Sequence, residues 1–388
     1  MNCAYDPKEL HALRILKEVS HWHAAKFISA EQLAAVRANY KSNVYHPNLV
    51  IRILVFVATC IAVSGANGLF FSMVYQLPET MQALMALVAG VGTIYLAQKA
   101  LIQNNHHYRS GVLEAIVYCA CAYIIGGVGL LTDWNEHLLL MTSILMFAFV
   151  AFWFLDLICT ALATLTLAGF IFYECYHAGG VIQQLIPFGI IISFSLVYFG
   201  ARQLRREESN GLWHDNLVLV EVISLLMIYA GGNYFVVREC SIALLNLSLG
   251  EGEDIPFAFI FYAFTALTPL VLMFRGVQLR NLMLLRLGVL TAVVSVLTFR
   301  YYFSILPPEI ALTVGGVIVL GVTAWLYSYL RIPRSGFSRD KLLSRETVSS
   351  NVTAFAVSQT MGGNVTKPDE SFKGGGGSFG GGGASGDF

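Results

Sequence analysis

Apolar residues run along this chain in ten blocks, near 50–75, 79–101, 111–131, 137–155, 157–176, 181–200, 217–237, 255–274, 281–303 and 309–330, and within residues 50–330 the short stretches between them hold most of the charge. An α-helix rises 1.5 Å per residue, so about twenty apolar residues cross the ~30 Å hydrocarbon core of a bilayer. The blocks therefore predict an all-α fold, a polytopic transmembrane bundle of about ten helices. One place needs a decision. Residues 137–176 are an almost unbroken apolar run long enough for two spans, interrupted only by Asp156. A carboxylate at mid-bilayer is costly, which predicts that Asp156 sits in a tight turn between two spans.

Loop charge supports that division. With a cytosolic N-terminus, the cytosolic connections hold Lys99 and Arg109, then Arg202, Arg205 and Arg206, then Arg275 and Arg280, then Arg331 and Arg334. The opposite connections hold Glu79, Asp133 and Glu136, the turn at His177, and Glu239, Glu251, Glu253 and Asp254 beside a lone Arg238. This asymmetry predicts a multi-pass protein of the cell membrane with both termini in the cytosol. A single helix over 137–176 would move the later arginines to the wrong side.

Three regions follow: a cytosolic hairpin over 1–48, the bundle over 49–330, and a cytosolic tail over 331–388. In the first, Asp6-Pro7 reads as an N-cap followed by proline at the first helical position, and Ser29-Ala30-Glu31-Gln32 as a capping box. They start two helices near 7–24 and 30–41. Leu10, Leu13, Leu16 and Val19 on one, and Leu33, Val36 and Tyr40 on the other, recur at helical spacing and can pair. So small a core needs support from the bundle, from lipid headgroups or from a second copy. The tail begins basic, with Arg339, Lys341 and Arg345, which suits anionic headgroups. It ends glycine-rich from Gly374, too poor in apolar residues to fold, and reads as a flexible, disordered segment.

The leucine-bearing first helix, the string Phe27-Ile28-Ser29-Ala30-Glu31-Gln32, a helix ending at Tyr40 and the spans that follow resemble predicted bacterial membrane proteins grouped as a domain of unknown function. The resemblance covers residues 1–75 and is loose beyond. It implies a bacterial inner-membrane setting and carries no catalytic residues over.

Composition narrows the chemistry. Only 12% of residues are charged and 56% are hydrophobic, and the 24 basic and 24 acidic residues cancel. Nothing here is the basic footprint of a nucleic-acid binder. The seven cysteines show no CxxC spacing, so neither a zinc site nor a disulfide framework is expected. His21 and His23, two apart on a helix, point about 200° away from each other and cannot share an ion. The acidic string from Glu251 to Asp254 lacks the oxygen spacing of a calcium loop. Gly376-Gly-Ser378-Phe-Gly380 has the GxSxG spacing without the strand and helix that chemistry requires. The expectation is no metal, no cofactor and no enzymatic site.

Glycine and asparagine clusters inside spans are the remaining signal: Gly65, Asn67 and Gly68, and again Gly231, Gly232 and Asn233. They suit close helix packing, or a helix break that presents backbone groups to a substrate. The strings His46-Pro-Asn-Leu-Val50 and His214-Asp-Asn-Leu-Val218 precede these two clusters and hint at repeated hairpin modules. Glu114, Glu221 and Arg286 each lie a few residues inside the cytosolic end of a span. They are the candidates for an ion or proton pathway, and the expectation is that they meet at one level. Two functions stand open. One is a membrane scaffold, assembly or sensing component with a protein partner at the hairpin or tail; the other is a transporter or permease for an ion or small solute using Glu114 and Glu221.

Overall fold

The computed structural model describes residues 3–24, 26–244 and 254–302, with isolated positions between 313 and 328. Apart from those positions, the tenth apolar block and the whole basic and glycine-rich tail lie outside the described residues, as do Glu251 and Glu253.

Helices α1 (Pro7–Ala24) and α2 (Ala30–Asn39) form the hairpin. The Ser29 capping box is complete, with Ser29 Oγ accepting from the Gln32 N–H and the Ser29 N–H donating to Gln32 Oε1. Asp6 accepts from the Lys8 N–H at 2.9 Å, as an N-cap should. The spans are α3 (Leu49–Val74), α4 (Glu79–Leu96), α5 (Val112–Leu131), α6 (Glu136–Trp153) and α7 (Leu157–Ala178). After the short α8 (Gly180–Gln184) come α9 (Ile186–Arg206), α10 (His214–Gly232), the half-length α11 (Tyr234–Ala243), α12 (Ala258–Gln278) and α13 (Leu282–Tyr302). Span α4 runs on as a π-helix through Ala97–Asn104. Among the described residues nine helical segments are long and apolar enough to cross a membrane.

Sequential spans pair most closely: α4 with α5, α6 with α7, α9 with α10 and α12 with α13. Helix α10 also touches α7, α12 and α13, which makes it the central member of the second half. Small residues let pairs approach. A Cβ on Gly127 would meet the Ala83 carbonyl oxygen at 3.0 Å, and one on Gly288 would meet the Met273 amide nitrogen at 2.8 Å. Large apolar side chains such as Ile61, Leu69, Val88, Leu145, Leu196 and Phe274 point outward, whereas Asn216, Glu221, Asn233, Thr265 and Thr291 are buried. That inverted arrangement is what a hydrocarbon solvent selects. We read the protein as an integral membrane protein.

Asp156 occupies the expected turn. Helix α6 ends at Trp153, Leu155 takes a left-handed conformation (φ 55°), and Asp156 caps α7 by accepting from the Cys159 N–H at 2.7 Å. The turn is buried rather than bathed in water, because the N-terminal segment covers it. The hairpin makes the contact expected with the bundle: Tyr5 and Leu10 belong to the same core cluster as Leu113, Val117, Phe154 and Trp213.

The two similar strings differ in local geometry. Asn48 caps α3 by accepting from the Ile51 N–H at 3.0 Å, whereas Asn216, its counterpart in the similar string, is already inside α10.

Candidate polar sites within the span bundle

Helix α6 ends with carbonyls that have no partner in their own helix, and in a dry setting each must find one. Four donors converge on them from distant segments. The Asn216 side chain reaches the Ala151 oxygen at 3.3 Å, Trp213 Nε1–H donates to Phe152 at 2.9 Å, the Ala4 N–H donates to Trp153 at 3.0 Å, and the Tyr5 hydroxyl donates to Phe154 at 3.2 Å. Beneath the turn, the Tyr118 hydroxyl donates to the Asp156 carboxylate at 3.0 Å. The α6 terminus, the first turn of α10 and the N-terminal arm therefore form one polar joint. Burial pushes the Tyr5 phenol well above its ordinary pKa, so it stays a donor.

Glu114 lies beside this joint. As the third residue of α5 it accepts from the Gly111 N–H at 2.7 Å and from Arg52 of α3 at 2.6 Å. Gly111 has φ 91°, and a Cβ there would collide with the Arg52 carbonyl oxygen, so only glycine lets the loop close onto α3. In the preceding loop His46 Nδ1–H donates to the Tyr108 carbonyl at 3.1 Å, while its Nε2 accepts from Lys17 at 2.7 Å. Burial and the Lys17 ammonium lower the His46 pKa to about 4, so the ring is neutral at pH 7.

Glu221 is 1% exposed and forms a two-point pair with Arg205 from the last turn of α9, Nε to Oε1 at 2.5 Å and Nη2 to Oε2 at 3.1 Å. One turn along α10, the buried Ser224 hydroxyl has no partner among the described residues. The expected meeting of Glu114, Glu221 and Arg286 does not occur. Each carboxylate is held by its own arginine, Arg52 or Arg205, while Arg286 is exposed on α13 and joins neither. Common depth places groups at one level but leaves open which face of the bundle each reaches.

The glycine clusters divide as well. Gly231 packs against Ile190 and the Pro187 carbonyl, and a Cβ on Gly232 would fall on the Phe264 ring. Gly65 and Gly68, by contrast, have nothing within 4 Å, so the packing expected of them is absent within the described chain. Asn67 does make a contact, accepting from the Tyr123 hydroxyl at 2.6 Å.

At Asn233 the second cluster combines close packing with a helix break, since α10 gives way there to α11 while Gly232 packs. The break hands its polar groups to side chains rather than leaving them open. Asn233 Oδ1 accepts from the Val236 N–H, Asn233 Nδ2 donates to Tyr229 and Thr298, and the Tyr234 N–H donates to Thr265 Oγ1 at 2.9 Å. Beyond the break, Asp254 accepts from the hydroxyls of Tyr234 at 2.6 Å and Tyr262 at 3.0 Å. Burial opposes its charge, but hydrogen bonds from Tyr234, the Ile255 N–H and Tyr262, with Arg238 nearby, hold its carboxyl below the ordinary range.

Sequence reasoning missed Tyr5, Trp213 and Asn216 as the clamp on the turn. Asn216 was visible in the string His214-Asp-Asn-Leu-Val218, but nothing local tied it to Asp156, 60 positions away. Comparison with protein-family models, curated proteins and solved structures finds no match to this chain.

Proposed function

We propose that this protein is a non-enzymatic scaffold, assembly or sensing component of a bacterial inner membrane, with both termini in the cytosol and the α1–α2 hairpin as its partner-facing element. One observation carries the reading: the hairpin is wired to the spans. The Ala4 and Tyr5 bonds to the α6–α7 turn, with Arg14 Nη1 donating to the Gly211 carbonyl at 2.8 Å, couple any load on the hairpin to α6, α7 and α10. Phe27, at the bend between α1 and α2, is 72% exposed and offers an apolar anchor.

A photoreactive residue at Phe27 in cells should capture one discrete protein, and the yield should drop when Arg14→Ala loosens the hairpin. A diffuse smear, unchanged by that substitution, would remove the hairpin from consideration. Orientation is tested separately. An impermeant thiol probe applied outside should label a cysteine at Asn135 but not at Asn104 or Ser209.

The transporter reading rests on the buried Glu221–Arg205 pair. Uptake into vesicles that is lost in Glu221→Gln, with insertion intact, would favour it over the scaffold.

A further inference from the structure

The α12–α13 hairpin carries charge of one sign only. From Ile255 to Pro308 the chain holds Arg275, Arg280, Arg286 and Arg300, and no lysine, aspartate or glutamate. Three of these arginines gather at one end. Leu285 packs so closely on Gly276 that a Cβ added to the glycine would stand 3.0 Å from the Leu285 Cα. Arg275 and Arg286 are the next residues along, so with about 3.8 Å between successive Cα atoms their own Cα atoms lie within about 12 Å of each other. Two extended guanidinium side chains span that distance. Arg280 sits on the turn that joins the helices, and the turn is fixed: the Asn281 N–H donates to the Gly276 carbonyl at 2.9 Å, and Asn281 Oδ1 accepts from the Met283 N–H at 2.9 Å.

All three arginines are exposed, and none has an acceptor among the described residues. At other helix ends on this side of the bundle the counter-charge is internal: Arg52 pairs with Glu114, Arg205 with Glu221 and Arg109 with Asp215. The tip of the α12–α13 hairpin must take its anion from outside. A guanidinium fork suits the oxygens of a phosphate, and depth identifies the phosphate. Arg275 comes three residues before the end of α12 and Arg286 four residues after the start of α13, which puts both about 4–6 Å inside the helix ends at 1.5 Å per residue. Lipid phosphates lie at the level to which such side chains snorkel, whereas a soluble acidic protein would have to enter the bilayer to meet them. Phe274, Val277, Val289 and Leu290, exposed beside the arginines, give acyl chains an apolar surface.

We infer that the end of the hairpin bearing Arg275, Arg280 and Arg286 binds an anionic phospholipid, its phosphate held by the guanidiniums and its chains lying along α12 and α13. The site is the same whichever way the protein is oriented and stands independently of the scaffold reading.

The test uses the full-length protein in phosphatidylcholine nanodiscs containing either phosphatidylglycerol or phosphatidylcholine with the same diazirine-bearing chain, with crosslinks mapped by mass spectrometry. Peptides covering 271–290 should be labelled by phosphatidylglycerol over phosphatidylcholine by about fivefold or more, the preference expected when even one guanidinium engages the added charge. The opposite end of the same hairpin, residues 258–264, should show no such preference. Replacing the three arginines together, Arg275→Gln, Arg280→Gln and Arg286→Gln, should bring the ratio at 271–290 down to that of 258–264. A ratio equal at the two ends of the parent hairpin, or one that survives the triple replacement, would overturn the proposal. So would loss of the preference to inorganic phosphate beyond what chloride does at equal ionic strength, which would assign the arginines to a soluble anion. Should the triple variant not insert, the comparison of the two ends in the parent protein decides alone.

Discussion

The hydroxyl of Tyr5 donates to the carbonyl oxygen of Phe154 at 3.2 Å, joining the N-terminal arm to a turn 149 positions away. Tyr5→Phe keeps the ring, its packing and its edge contact with Tyr108, and removes only the donor. The loss should be about 1–2 kcal/mol, the range for a buried hydrogen bond whose carbonyl is left unpaired. It would register as a lower thermal midpoint in detergent and as faster proteolysis between α2 and α3. An unchanged midpoint together with unchanged protease sensitivity would show that the arm is not held at this point.

The Glu221–Arg205 pair is buried on one side only, since Arg205 is 28% exposed. Removing the carboxylate charge in Glu221→Gln strands a guanidinium that can still reach solvent, so the cost should fall below the ~3–5 kcal/mol of a fully buried broken pair. A double-mutant cycle with Arg205→Gln isolates the coupling. Additive effects of the two substitutions would mean that the bidentate geometry contributes nothing.

Gly232→Ala and Gly65→Ala should behave oppositely. The first drives a methyl into the Phe264 ring, an overpacking that typically costs about 1–3 kcal/mol. The second places a methyl in open space on a helix, where replacing glycine is favourable by up to about 1 kcal/mol. Parallel thermal melts compare them directly, and a destabilised Gly65→Ala would reveal a partner surface on that face of α3.

His46 gives a pH dependence of definite sign. Its folded pKa is about 4 and its ordinary value 6.5, so the unfolded chain binds the extra proton first. The stability it contributes is complete above pH 6.5 and is lost as pH falls toward 4. The thermal midpoint of the parent should therefore drop more between pH 7 and pH 5 than that of His46→Asn. Equal drops would assign the acid sensitivity to other groups.

Local sequence was enough for the nine spans among the described residues, the turn at Asp156 and the Ser29 cap. Hydrophobic block length, the cost of a charge in hydrocarbon and the hydrogen bonds of a helix start all act within a few residues. The break beside Asn233 was open in the sequence only as an alternative to packing, and the similar cluster at Gly65, Asn67 and Gly68 lies inside the unbroken α3. Pairing across the bundle was not legible. Whether Glu114 would meet Glu221 or Arg52, whether the N-terminal arm would reach the α6–α7 turn, and which glycines would touch a neighbour all depend on helix rotation. The apolar blocks leave that rotation open because lipid and bundle interior are both apolar, and hydropathy scarcely distinguishes a face turned to one from a face turned to the other. Tertiary structure decided it through polar groups with no water to fall back on: the Ala151 to Phe154 carbonyls had to be met, and Ala4, Tyr5, Trp213 and Asn216 were the donors that helix packing brought within reach.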